Sequence, residues 1–181
     1  MSTRVVVTGG SGFLGSLLAR RLLTEPVTLG GTPPAELDEL TMIDLVGPPD
    51  DVRTDRRVRF IAADLSAAFG DLDEVDAVFH LAGVVSGAAE ADFDLGMHTN
   101  IDGTRAVLEY GRRHAAPPLV VFSSSLAVFG SAPAIGPVGT WTTTSSRGRD
   151  HPAHRLGLRE GTSFDDIVRA YLADNPGAGA G

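Results

Sequence analysis

The chain of 181 residues contains no cysteine. Disulfides, thiolate chemistry and cysteine metal sites are therefore excluded, and the redox compartment is left open. Lysine is absent too, so all 15 basic residues are arginine. Basic clusters are lacking, and the net charge of −8 sets the surface against nucleic acid or an anionic membrane, both of the same sign. No apolar run approaches the roughly 18 residues of a membrane span. The N-terminus lacks the charged start, apolar run and small-residue cleavage site of a signal peptide. A soluble cytoplasmic protein is expected.

What is present suits one domain with a real core, at 43% hydrophobic residues. The chain is organised around Val5-Val6-Val7-Thr8-Gly9-Gly10-Ser11-Gly12-Phe13-Leu14-Gly15, where a β-branched run breaks into glycines and becomes an amphipathic stretch from Ser16 to Leu23. That pattern predicts strand, tight turn and helix. Gly9 suits a positive φ, Gly12 admits a phosphate close to the backbone, and Gly15 lets the helix pack against the strand. The helix N-terminus, with its positive dipole end, would then face a pyrophosphate.

Strand and helix patterns alternate through the first two-thirds of the chain, which predicts an α/β fold with a doubly wound parallel sheet. After a loop from Thr28 to Leu37, a strand runs from Leu40 to Leu45 with Asp44 near its end. A carboxylate there accepts hydrogen bonds from the ribose hydroxyls and repels a 2′-phosphate, favouring NAD over NADP, although a plain turn before Gly47 also suits an Asp. The charged segment from Arg53 to Arg59 reads as solvated. The strand Val58 to Ala62 leads to Asp64, which is either an acceptor for the adenine amino group or an Asx turn or helix cap. The buried strand Asp76 to Gly83 ends in small residues that leave room for a ligand, and its His80 reads as a core histidine. A helix from about Asn100 to Arg113 carries an apolar stripe of Val107, Leu108 and Tyr110 or Gly111. The strand Leu119 to Phe122 follows and runs into Ser123-Ser124-Ser125, a serine run that by itself suits a turn.

Taken together, Thr8 to Gly15, Asp44, Asp64-Leu65, His80-Leu81-Ala82-Gly83, Asn100 to Thr104 and the triple serine before Val128-Phe129-Gly130 resemble the extended short-chain dehydrogenase/reductases, the NAD-dependent epimerase/dehydratase family. Within that family, Val84 to Gly96 is similar to the D-erythronate dehydrogenase group, which oxidises a small hydroxy acid. The resemblance implies a Rossmann domain over residues 1–138. It implies cofactor contacts from Gly9, Gly12, Phe13, Leu14, Gly15, Asp44, Asp64, Leu65, Leu81, Ala82, Gly83, Asn100 and Ser123. Ser125 matches the serine that hydrogen-bonds the substrate oxygen. A nicotinamide dinucleotide and a small sugar acid are the implied partners; of the two helices per subunit through which the family's homodimers form, the one from Asn100 to Arg113 is present and the tyrosine helix is not, so the oligomeric state is left open.

The chain departs from the family in its Tyr-x-x-x-Lys element. Its tyrosines are Tyr110 and Tyr171, with His114 and Asn175 four residues on, and no lysine exists to lower a phenol's pKa. With an ordinary pKa of about 10, a phenol is a poor base at neutral pH, and a guanidinium does not replace an ammonium at a fixed point. Hydride transfer by the family mechanism is expected to be impaired. The polar, aperiodic stretch 139–155 reads as a linker, with His151 and His154 solvated rather than binding a metal. A separate C-terminal helix is expected over 156–175, with Phe164, Ile167, Val168, Tyr171 and Leu172 as its apolar stripe, followed by a flexible tail over 176–181. The whole reads as a truncated Rossmann-like domain joined to the family's C-terminal tail, with the tyrosine helix and substrate domain deleted. Loss of those covering elements predicts an apolar patch near Val120 to Phe122.

Overall fold

The computed structural model describes residues 3–70 and 72–124. Five strands form one parallel sheet: β1 (Arg4–Thr8), β2 (Glu39–Asp44), β3 (Val58–Ala62), β4 (Ala77–His80) and β5 (Leu119–Phe122), in the order β3-β2-β1-β4-β5. The order reverses beside β1, with β2 on one flank and β4 on the other. Val6 of β1 registers with Thr41 of β2 and with Val78 of β4. This is the Rossmann-like doubly wound sheet that the alternating pattern predicts.

The apolar run of β1 is continuous because both faces of a central parallel strand are covered. Val5 and Val7 point to one face, where they meet Leu40 and Met42 of β2 and the buried Ala19 and Leu22 of α1 (Phe13–Thr24). Val6 points to the other, with Ile43 and Val78, beneath Leu65 and Phe69 at α3 (Leu65–Ala68) and Val107 and Tyr110 of α6 (Gly103–Arg113). Each such aliphatic side chain contributes about 1.5–3 kcal/mol when fully buried. Tyr110 belongs to this core: it is 1% exposed and its hydroxyl donates to the Asp73 carbonyl at 2.5 Å.

β3 and β5 match their expected bounds, while β2 stops at Asp44, one residue before the expected end. Other segments depart from expectation. Within 53–59, Arg57 is not simply solvated: its guanidinium bonds both Asp55 oxygens and the Leu23 carbonyl. Just before it lies a turn of helix, α2 (Asp50–Arg53), whose Val52 is buried. Two further short helices, α4 (Ser86–Ala91) and α5 (Phe93–Met97), and a π-helical turn (His98–Asp102) precede α6. The stripe of α6 is Val107, Tyr110 and Gly111, and Leu108 instead stands 58% exposed. Leu108 lies with Ile101, 50% exposed, and Phe122, 53% exposed, around one shallow hollow beside β5. Among the described residues β5 is the sheet edge; of the expected patch, Phe122 is exposed while Val120 and Val121 are half-buried.

Among the described residues no helix is long and apolar enough to cross a membrane. Ser125, the end of the first domain from 125 to 138, the linker 139–155, the helix 156–175 and the tail 176–181 lie outside the described residues, as do His151, His154 and Tyr171.

Candidate functional site

A cavity of about 390 Å³ opens at the carboxyl ends of the strands, beside the point where the strand order reverses. Open α/β sheets bind ligands at this position. Its floor is the turn between β1 and α1. Gly9 has φ +67°, and a Cβ there would stand 2.7 Å from the Ala82 nitrogen; a Cβ on Gly15 would stand 2.1 Å from the Gly9 carbonyl oxygen. The turn is thus wedged between β4 and its own helix, which only glycine permits at these positions. Gly12 is the residue before α1, has no side chain to cap the helix, and lines the cavity. A Cβ on Gly12 would meet only the Gly9 oxygen, at 3.3 Å, and would otherwise occupy open space. The start of a 12-residue helix therefore presents its dipole to the cavity without a side chain in the way.

Asp44 closes one wall. One carboxylate oxygen accepts the Ser11 N–H at 3.0 Å, and the other accepts the Leu45 N–H at 2.7 Å and, more weakly, the Val46 N–H at 3.4 Å. The side chain so ties the glycine turn to the end of β2. A carboxylate offers about four lone-pair sites, so its oxygens retain capacity for hydroxyl donors.

Asp64 lines the cavity and also caps α3, accepting the Ser66 N–H at 2.8 Å and the Ser66 hydroxyl at 2.6 Å on one oxygen. The Ser66 hydroxyl is the main cause of its depressed pKa; burial opposes this, and His98, with Nε2 at 3.2 Å, adds to it. Of the two uses that the sequence leaves open for Asp64, the helix cap is formed. Leu65, Leu81, Ala82 and Gly83 complete the expected lining. Leu81 N–H bonds the Thr8 carbonyl at 3.2 Å, and Ala82 N–H bonds the Thr8 hydroxyl at 3.3 Å.

The remaining expected residues lie elsewhere. Gly15 is buried behind the turn, while Phe13 and Leu14 open α1 beside the cavity, Leu14 being 52% exposed. Asn100 does not line the cavity; its amide clamps Val84, accepting that residue's N–H at 2.8 Å and donating to its carbonyl at 3.0 Å. Ser123 is exposed, and its N–H bonds the His80 carbonyl at 3.1 Å. Conversely, Val84, Leu95 and Thr99 line the cavity without having been expected to. Asp92, which caps α5 by accepting the Leu95 N–H at 3.0 Å, is the start signal that locates Leu95.

Asp44 and Asp64, both carboxylates, are the ionisable groups in this lining. Among the described residues no group of His, Cys, Asp and Glu can hold a metal. The cavity has the parts of a binding site: a helix start fit for a diphosphate, a carboxylate fit for a hydroxyl donor, and apolar walls at Leu65 and Leu81 fit for a flat ring.

Residues 5–154 match the family model described as the NAD dependent epimerase/dehydratase family. The chain is 50% identical over 131 residues to a D-erythronate dehydrogenase of Cupriavidus necator, covering 70% of this chain and 40% of that protein. Among solved structures, the nucleoside-diphosphate-sugar epimerase from Agrobacterium tumefaciens superposes with a TM-score of 0.57 at 36% identity, over 72% of this chain and 39% of the other. The Bordetella bronchiseptica enzyme WbmF, in complex with NAD+, superposes with a TM-score of 0.57 at 26% identity, over 70% of this chain and 37% of the other. The chain thus spans about 40% of the length of these relatives. With its glycine turn, its strand order and its match over residues 5–154, this chain belongs to the NAD-dependent epimerase/dehydratase family.

Proposed function

We propose that the chain binds NAD in the cavity at the carboxyl ends of β1, β2 and β4. The observation that carries this reading is Asp44, a cavity-lining carboxylate at the end of β2 whose oxygens already hold the glycine turn in place. The pyrophosphate would lie on Gly12 and the first turn of α1, and the adenosine ribose hydroxyls would donate to Asp44. A 2′-phosphate would bring like charge against that carboxylate, so NADP is disfavoured. Leu65 and Leu81 would flank the adenine, with Asp64 as acceptor for its amino group. The relative complexed with NAD+ supports this choice of cofactor.

NAD, when bound, supplies a hydride acceptor. The likeness to a D-erythronate dehydrogenase supports the hydroxyl of a small sugar acid such as D-erythronate as the donor by descent. Ser125, in this reading, hydrogen-bonds the substrate oxygen. Removing the hydroxyl proton needs a base, and there the chain is poorly equipped. Tyr110 is buried, its hydroxyl is engaged by a main-chain carbonyl, and burial pushes its pKa up. No lysine is available to any phenol. Turnover by this chain is accordingly impaired, and the same absence favours a second reading in which the chain binds the nucleotide without catalysis.

Calorimetric titration with NAD and with NADP tests the binding, and NADH absorbance with D-erythronate tests the chemistry. Saturable binding of NAD with weaker NADP supports the proposal, and slow NADH formation then separates an impaired enzyme from a pure binder. No heat with NAD overturns it.

A further inference from the structure

His80 ends β4, is 1% exposed, and immediately precedes the cavity-lining Leu81, Ala82 and Gly83. Both of its ring nitrogens are engaged. Nδ1 lies 2.7 Å from the Thr8 hydroxyl, and Nε2 lies 3.0 Å from the Thr104 hydroxyl. The ring also stacks on Phe122, with centroids 5.4 Å apart.

The partners of those hydroxyls decide which nitrogen carries the proton. A hydroxyl has one proton to give. Thr104 gives its proton to the Asn100 carbonyl at 2.6 Å, so towards His80 it accepts, and Nε2 is the protonated nitrogen. Thr8 accepts the Ala82 N–H at 3.3 Å and gives its own proton to Nδ1. Four hydrogen bonds then run in one direction: from the Ala82 N–H to Thr8, from Thr8 to Nδ1, from Nε2 to Thr104, and from Thr104 to the Asn100 carbonyl. Bonds aligned in this way polarise one another.

Both ends of the chain reach the same wall of the cavity. One end is Ala82. The other is Asn100, whose side-chain amide holds the N–H and carbonyl of Val84. Asn100 lies in the π-helical turn, where the Gly103 N–H bonds the His98 carbonyl five residues back. A second proton on His80 would sit on Nδ1 and face Thr8. The Thr8 hydroxyl would then accept from both sides, and its own proton would lose its acceptor. Burial adds to this by disfavouring the charged ring.

We propose that His80, held as the neutral Nε2–H tautomer between Thr8 and Thr104, is a positioning residue that sets the 82–84 wall of the dinucleotide cavity. This rests on the proposed NAD binding. The test is made on the full chain, titrating NAD into the wild type, His80→Gln, His80→Leu and Thr104→Val, with the unfolding midpoint of each measured without ligand. Leu cannot carry the chain of bonds, whereas a glutamine amide offers one acceptor and one donor in its place. Loss of a buried donor's partner predicts NAD binding weakened about tenfold or more in His80→Leu and Thr104→Val, with Gln recovering most of it. Imidazole nitrogen NMR of the wild type is expected to show a bare Nδ1 and a protonated Nε2.

An Nδ1–H or charged ring at neutral pH overturns the proposal. So does NAD affinity in the folded variants that equals the wild type, or that falls only in step with their unfolding midpoints and is not recovered by Gln. If His80→Leu does not fold, the isosteric Thr104→Val decides. If the wild type itself does not bind NAD, the function proposed above fails and this inference with it. Unchanged affinity across variants of a binding-competent wild type defeats this inference alone.

Discussion

At the scale of single residues, Asp44 does two jobs with one carboxylate. It accepts main-chain donors from the glycine turn and from the start of the following loop, and it faces the cavity. Charge-assisted hydrogen bonds of this kind contribute about 1.5–3 kcal/mol each. Asp44→Ala is expected to weaken NAD about tenfold to a hundredfold and to reduce the preference over NADP, measured by calorimetric titration. Asp44→Asn, which keeps an acceptor for Ser11 but drops the charge, is expected to lose chiefly the discrimination against NADP. Residues of this kind were legible in the sequence because their signals are local. Gly9, Gly12 and Gly15 sit inside one strand-to-helix turn, and Asp44 closes one apolar run. Asn100 was not legible in the same way: it is named by resemblance as a cofactor contact, yet its amide is spent on Val84, 16 residues back in the chain. Nothing in the spacing of those two residues announces a clamp. His80 reads correctly as a buried histidine, and its two threonine partners, on β1 and α6, become visible only once the sheet is assembled.

Among the elements, the turn from β1 to α1 is where backbone geometry leaves the least freedom. Gly15→Ala places a Cβ where the Gly9 carbonyl oxygen lies 2.1 Å away, so strand and helix must separate. This overpacking is expected to cost about 3 kcal/mol or more, read as a fall in the thermal midpoint. Gly47→Ala, where a Cβ meets nothing within 4 Å, is expected to stay within about 0.5 kcal/mol of wild type. Equal losses in the two variants would show that the turn is not packed as described. The long or strongly patterned elements were readable: β1 from its valine run, β3 and β5 with their bounds, and α1 and α6 from their periodicity. α2, α3, α4 and α5 have 4 to 6 residues each, too few for a helical period to register; Asp64 and Asp92 cap α3 and α5, α2 and α3 pack on the sheet, and α4 packs on α5. The exposure of Leu108 has a related cause. Gly103, Val107, Tyr110 and Gly111 are the buried positions of α6, and Leu108 falls outside that arc.

For the molecule as a whole, pH separates two sets of groups. Burial holds the His80 pKa below its ordinary 6.5, so below that pH the unfolded chain binds a proton that the folded chain resists. Stability therefore falls as the pH drops through about 6.5. A second loss comes from carboxylates whose folded pKa is depressed. The Arg57 guanidinium holds Asp55 down to about 2, the Arg20 side chain lowers Asp51, and the Ser66 hydroxyl lowers Asp64. Their contribution is present above the unfolded value of 3.8 and is lost as the pH falls through the folded values, near 2 for Asp55. Chemical denaturation from pH 8 to pH 2 is expected to show both limbs, with His80→Gln removing the first and leaving the second. An unchanged first limb in that variant would assign it to another group.

Thermal unfolding of the purified chain with NAD, with NADP and with neither, repeated for Asp44→Ala, reads whether this sheet holds NAD through its glycine turn and Asp44. A ligand bound only by the folded state adds about 2.7 kcal/mol at a hundredfold excess over its Kd, and the midpoint must rise accordingly. A rise with NAD, a smaller one or none with NADP, and a reduced rise in Asp44→Ala are expected. A cooperative transition whose midpoint is indifferent to NAD, or one raised equally in Asp44→Ala, would contradict that mode of binding.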